Sequence, residues 1–470
     1  MEKSTRIRCN DLLTVVGAVK KRHTNHKLGD REMSPASKSH LTSALRAALA
    51  LMMFAWQQLV IAQQSTTIVE IDDSLSPNST AITHFGGPTS VGAQIKSDEN
   101  RKPTYRFEGL SRSVQPYYDF KDRINDNYGL SFGGDYNLLY QGASESPGED
   151  NAAGGVLRIY GTWALVDRGS QDAGSLVFKI ENRHRLGTDI APQQLGAEVG
   201  YAGLTAIPFS DAGSLLTNLY WSQSFDNNRL AFIAGIVDTT DYVAVYGLVN
   251  PWTYYSNLVF STDPTIAVPN QGLGAAFSMR ITDNYYVLAG LADANGDPGK
   301  PQDSVDSFLN DHEYFKHIEL GWFASWVDRF TDNVHLTVWQ VDERETASVN
   351  DGWGAAFSFS RKINDRWLPF FRAGYSDGGG ALLARSLSAG FGYFSRAKDD
   401  VLGVGFNWGQ PSKETYGSGL DDQYTAEVFY RLQLFKHVTV TPDVQLLINP
   451  ALNPDVDSIW VTGLRARLVF

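Results

Sequence analysis

Over long stretches of this chain, apolar and polar residues change places at every step. In 460–470 (WVTGLRARLVF), Trp460, Thr462, Leu464, Ala466, Leu468 and Phe470 share one face, and Val461, Gly463, Arg465, Arg467 and Val469 share the other. A period of two is the mark of a strand, because successive side chains leave a pleated backbone on opposite sides. Segment 437–448 repeats it, with Val438, Val440, Pro442, Val444, Leu446 and Ile448 against Thr439, Thr441, Asp443 and Gln445. From Tyr128 onward the pattern predicts strands over 128–140, 155–166, 174–184, 213–225, 229–238, 271–282, 284–293 and 314–327. A second set follows over 333–343, 352–362, 366–376, 383–396, 400–408, 423–434, 437–448 and 458–470, which makes sixteen in all.

The connections alternate in length. FDNNR (225–229), TDN (282–284), RFTDN (329–333), INDR (363–366), AKDD (397–400) and FKH (435–437) are short and mostly carry polar turn residues. Segments 239–270, 294–313, 409–422 and 449–457 are longer, with shorter exceptions at 344–351 and 377–382. An even strand number with short turns on one rim and long loops on the other predicts an all-β fold. That fold is a transmembrane antiparallel β-barrel of 16 strands with short periplasmic turns and long extracellular loops.

A soluble sandwich would also alternate, but three features favour lipid. Trp353, Trp367, Tyr393, Trp408, Trp460 and Phe470 sit at strand ends, where interfacial girdles belong. The run from Trp460 to Phe470, tilted as barrel strands are, covers about 25 Å, the height of the apolar band. The apolar faces are rich in Ala, Gly, Leu and Val, without the bulk of a sandwich core. Sixteen strands enclose more space than wall side chains fill, so the lumen is expected to be a water-filled channel.

Ahead of the barrel, AALALMMFAWQQLVIA (47–62) follows Lys38 and Arg46 and ends on a small-x-small pattern. This reads as a secretory signal cleaved after Ala62, too short and too Gln-interrupted to span a bilayer. Residues 1–32 then form an over-called start, with Met33 the better initiator. Residues 1–62 hold 10 Lys+Arg against 4 Asp+Glu, so their removal takes the net charge from −12 to −18 and removes the single cysteine, Cys9. An acidic, exported, cysteine-free chain excludes disulfide or thiol chemistry and offers nothing to nucleic acid. The polar, Ser/Thr/Pro-containing stretch 63–116 reads as a flexible periplasmic lead-in, and 117–127 as a short amphipathic helix before a barrel over 117–470.

VGFNWGQPS (404–412), AEVFYRLQLFKHVTVTPDVQLLINPALNP (426–454) and the terminal WVTGLRARLVF resemble the C-terminal half of the carbohydrate-selective porin family, the OprB type. NDNYGLSFGGDYNLLYQG (125–142) resembles that family's entry into the barrel more loosely. The resemblance implies a sixteen-stranded outer-membrane barrel that passes sugars down a gradient. It also implies that Phe470 is read by the barrel-assembly machinery. Monomer and homotrimer both stay open.

The connection 239–270, after the fifth strand, is expected by analogy with sixteen-stranded porins to fold inward and narrow the channel; the alternative is an extracellular loop packed on itself. It carries Tyr242, Tyr246, Trp252, Tyr254, Tyr255 and Phe260 among Asp241, Asn250, Asn257 and Asp263, with Asp238 immediately before it. Flat rings suit the C–H face of a sugar, and amides and carboxylates suit its hydroxyls. On the inward parity lie Arg158, Lys179, Glu181, Arg183, Arg280, Glu319, Arg372, Glu427, Arg431, Arg465 and Arg467. Both signs of charge occur, which speaks against a strongly anion-selective pore and favours a transverse field across the channel.

No metal or cofactor is expected. Asp293-Ala294-Asn295-Gly296-Asp297 opens like a calcium loop, but Pro298 and Ser304 stand where Gly and Glu are required. The leading reading is a passive carbohydrate channel in the outer membrane. A general or ion-type porin of low selectivity is the first rival. An outer-membrane lipase or protease on a barrel is the second, and no catalytic motif marks one.

Overall fold

A computed structural model describes residues 85–105, 108–395 and 399–470. The leader and most of the lead-in expected over 63–116 lie outside the described residues. The alternating segments form sixteen strands. They are β1 Leu130–Ala143, β2 Asn151–Val166, β3 Gly174–Arg185, β4 Gly213–Phe225, β5 Leu230–Val237, β6 Gly272–Arg280, β7 Tyr285–Asp293 and β8 Tyr314–Phe323. The rest are β9 Asn333–Val341, β10 Gly352–Ser360, β11 Trp367–Gly378, β12 Leu383–Phe394, β13 Val401–Pro411, β14 Gln423–Phe435, β15 Val438–Ile448 and β16 Ser458–Val469.

Each strand pairs antiparallel with its sequence neighbours, and β1 pairs with β16 to close the barrel. Closure leaves no unpaired edge, the condition for crossing hydrocarbon with strands. Phe470 completes the seam: its N–H donates to the Gly134 carbonyl at 3.0 Å and its own carbonyl accepts from Gly134 N–H at 3.1 Å.

The outward face is apolar and uncovered. Leu464 is 53% exposed and Trp460 51%, whereas Arg465 between Leu464 and Ala466 is 1% exposed. Ile159, Leu219, Phe277, Ile318, Leu336, Phe406 and Val428 continue the outward surface round the barrel. Of the expected girdle aromatics, Trp353, Trp367, Trp460 and Phe470 are exposed.

Three expectations change. The strand expected over 314–327 stops at Phe323, because 324–332 closes on itself: Arg329 stacks over Trp326 and Phe330, and Asn333 Nδ2 donates to the Arg329 carbonyl at 3.0 Å. The helix expected over 117–127 is the 21-residue α2, Glu108–Tyr128, with Pro116 inside it. Within the expected lead-in, Val91–Glu99 forms a helix, here α1, and Phe85, Val91 and Ile95 join a buried apolar cluster with residues of β2, β4, β5 and 242–244. Two buried apolar residues in nine leave too weak a period to mark this helix in sequence.

The lumen is accordingly more filled than the strand number alone suggests. The β3–β4 connection also turns inward: Tyr201 Oη lies 2.8 Å from Thr425 Oγ1 on β14, and the Thr205 carbonyl accepts from Gln141 and Gln445.

Candidate functional site

The long connection between β5 and β6 packs against inward-facing residues of the barrel wall. Its position follows from wall residues that reach its backbone. Glu427 on β14 accepts from the N–H groups of Ser256 at 2.6 Å and Asn257 at 3.0 Å. Arg465 on β16 donates to the carbonyls of Pro251 and Tyr254, and Asn257 Nδ2 donates to Gln445 on β15 at 2.9 Å. A carboxylate taking two N–H groups and a guanidinium taking two carbonyls satisfy backbone groups that a buried loop otherwise leaves unpaired.

A second set holds the loop's first half. Glu319 on β8 accepts from Ala244 N–H at 2.9 Å, from Thr337 Oγ1 at 2.6 Å and from Tyr286 Oη at 2.7 Å. Arg372 on β11 donates to the carbonyls of Ala244 and Thr262 and lies 3.6 Å from Asp263. Ala244 adopts φ +52°, a left-handed conformation unusual for a residue with a Cβ. Pinning from both sides by Glu319 and Arg372 maintains it. Close approach of loop and wall needs glycine: a Cβ on Gly405 would lie 2.8 Å from the Phe260 ring, and one on Gly374 would overlap Thr265.

The remaining wall charges pair among themselves or with the loop. Arg158 Nε donates to Asp135 at 2.8 Å, and Arg467 Nε donates to the same carboxylate at 2.7 Å. Trp252 covers Arg158, with the guanidinium carbon 3.9 Å from its ring centroid. Lys179 Nζ donates to Asp241 at 3.3 Å and Arg183 Nε to Glu181 at 2.8 Å. Arg431 Nη1 donates to the Tyr254 hydroxyl at 3.3 Å.

The expected aromatic lining therefore divides. Tyr246 and Tyr255 are buried in a cluster with Phe260, Phe370 and Phe429, so they seat the loop and present no ring to a solute. Asn250 is buried, its Oδ1 accepting from Trp252 N–H at 3.1 Å. Tyr254 is half-buried and borders that cluster. Arg280 stands apart at the short-turn rim, where it donates to the Asn227 carbonyl and stacks on Trp326. Sequence reasoning missed Asp135, Asp443 and Gln445 as partners; Asp443 and Gln445 stand on the inward parity already noted for β15.

Asp241 titrates in a useful range. Burial, opposed by the Lys179 ammonium, pushes its carboxyl up to about 6. The docked loop thus holds this proton more tightly than a solvated carboxyl would, and docking here gains stability as pH falls from about 6 towards about 4. Protonation also leaves the Lys179 charge less compensated. Lowering the pH from about 7 to about 5 is expected to shift ion preference towards anions, read as a reversal potential in a KCl gradient. Asp241→Asn should abolish the shift, and a shift that persists in the variant assigns the titration elsewhere.

Asp293, the first residue of the calcium-loop pattern, accepts from Ser304 Oγ at 2.6 Å, Ser307 Oγ at 2.7 Å and Asn295 N–H at 3.0 Å, so it organises the β7–β8 connection.

Residues 168–470 match the family model described as carbohydrate-selective porin, OprB family. The porin AaxA of Chlamydia pneumoniae is 24% identical over 328 residues, 65% of this chain and 70% of the relative; that of Chlamydia abortus is 21% identical over 311 residues, 65% and 68%. The Pseudomonas putida OprB structure at high pH superposes with a TM-score of 0.59 at 13% identity, covering 75% of this chain and 97% of that one. These relatives are channels, and the closed sixteen-stranded barrel is the same fold. The chain is an outer-membrane porin rather than an enzyme, and it belongs to the OprB family of carbohydrate-selective porins.

Proposed function

We propose that this porin selects neutral carbohydrates, mono- and oligosaccharides, for passive diffusion through a lumen narrowed by the 238–271 connection. The observation that carries the reading is charge pairing at the constriction. Arg158 and Arg467 pair with Asp135, Lys179 with Asp241, Arg372 with Asp263, and Arg465 with Asp443. Paired charges present dipoles to a solute more than net charge, which suits a hydroxylated neutral molecule better than an ion. The half-buried Tyr254 ring, with Arg431 beside it, offers an apolar face next to a hydrogen-bond fork. Arg183, Glu181 and Asp241 would add polar contacts.

Residues 1–62 would direct export and be removed, the short turns would face the periplasm, and Phe470 would serve the assembly machinery. In liposome swelling, mono- and disaccharides are expected to enter faster than amino acids of equal mass. Equal rates would reduce this protein to a general porin. Tyr254→Ala is expected to weaken sugar block of ion current while the barrel still folds.

A further inference from the structure

The Asp98 carboxylate, on α1, is seated against the barrel wall as a ligand would be. Arg467 Nη1 donates to its Oδ1 at 2.8 Å and Arg467 Nη2 to its Oδ2 at 2.9 Å, a two-pronged contact. The Tyr160 hydroxyl on β2 donates to Oδ2 at 2.7 Å. Both wall residues are 1% exposed and already held in place. Asp135 accepts from Arg467 Nε on one side and from Arg158 on the other, and Arg467 Nη2 lies 3.2 Å from the Tyr160 hydroxyl. The fork is therefore aimed before any carboxylate arrives, which is what makes an arginine site specific.

We propose that Arg467 and Tyr160 form a carboxylate-binding site in the lumen wall, and that the chain's own Asp98 fills it, so that α1 is a self-inserted plug which carboxylate-bearing solutes displace. Apart from Val91 and Ile95, which pack on the buried apolar cluster, α1 is held loosely. Its N-cap residue, Ser90, makes no side-chain capping bond, and Lys96, Ser97, Glu99 and Asn100 are exposed. Its nearest other polar ties are Gly87 N–H to the Asp241 carbonyl at 3.1 Å and Arg101 Nη1 to Thr439 Oγ1 at 3.1 Å. The chain after it is anchored at the barrel rim by Lys102 N–H on Asp399 at 2.6 Å and by Thr104 and Tyr105 N–H on the Gln433 and Leu434 carbonyls at 2.7 and 3.0 Å, so that α1 moves as a segment tethered at that end. Arg101 also pairs with Asp98. A tethered carboxylate competes at an effective concentration in the millimolar range, so a free solute at higher concentration can replace it. The site takes the carboxylate group, and this inference does not depend on the preference for neutral sugars.

Trypsin cleavage after Lys96, followed by mass spectrometry on the detergent-folded protein, reports withdrawal of α1. Gluconate at on the order of 100 mM, well above the tether's effective concentration, is expected to accelerate cleavage severalfold, whereas glucose and sodium chloride at matched concentration leave it unchanged. Asp98→Asn, which loses the charge-assisted contacts, is expected to be cut about tenfold faster than wild type without any added solute. Heat-modifiable gel migration verifies that the variant barrel is folded, and the wild-type comparison of gluconate with glucose needs no variant. Equal cleavage in gluconate, glucose and salt would overturn the site. Faster cleavage in Asp98→Asn without a gluconate response would make the contact an ordinary internal ion pair, and would overturn it equally.

Discussion

Arg465→Ala is expected to raise single-channel conductance severalfold and to erase discrimination between sugars and amino acids. The Arg465 guanidinium bonds the carbonyls of Pro251 and Tyr254, and its Nε lies 3.8 Å from Asp443. Its removal leaves the buried Asp443 carboxylate without its cation and frees two loop carbonyls. Breaking such a buried pair costs about 3–5 kcal/mol. A cost of that size moves a docked-to-undocked equilibrium by more than about a hundredfold, enough to release the 251–257 segment from the wall. Arg465→Lys keeps the charge but not the fork and should fall between the two. A folded Arg465→Ala barrel with unchanged current would show that the loop does not depend on this side chain.

The second large effect concerns the outer face. Leu464→Arg places on the lipid side the same side chain that the chain carries, one residue along, on the lumen side. Leu464 is exposed between Tyr140 and Pro442 on the neighbouring strands. Arginine on the lipid face near the bilayer midplane costs about 2–4 kcal/mol in barrels of this type. Denaturant unfolding in phospholipid vesicles should show a loss of that size. A loss under ~0.5 kcal/mol, the ordinary scatter for surface substitutions, would mean that this face meets water.

Strand number, barrel closure and the identity of the lumen face were legible because each rests on a period of two repeated sixteen times. One residue of slip inverts every side chain, so register leaves a strong mark in sequence. The wall halves of the site, such as Glu319, Arg372, Glu427 and Arg465, followed from that parity. Their partners did not, because Ala244, Pro251, Tyr254 and Ser256 contribute backbone groups that no residue type announces. The same gap explains Tyr246 and Tyr255: composition showed aromatic rings in a loop, but only packing against Phe370 and Phe429 shows that those rings face the wall. α1 was illegible for a different reason. Its hold on the barrel is one carboxylate, a few hydrogen bonds from the residues flanking it and a few apolar contacts, and a lone Asp in a polar stretch carries no periodic signal.

The central claim is that the 238–271 connection sits within the lumen against the wall opposite its root. Asn257→Cys with Gln445→Cys, in a chain carrying Cys9→Ser, tests it directly, since the two native side chains are 2.9 Å apart at their hydrogen bond. A short bifunctional thiol reagent should join the loop to β15 in the folded, membrane-inserted protein, with the linked peptide recovered by mass spectrometry. Two cysteines that each react singly yet never become linked would place the loop elsewhere and contradict the account.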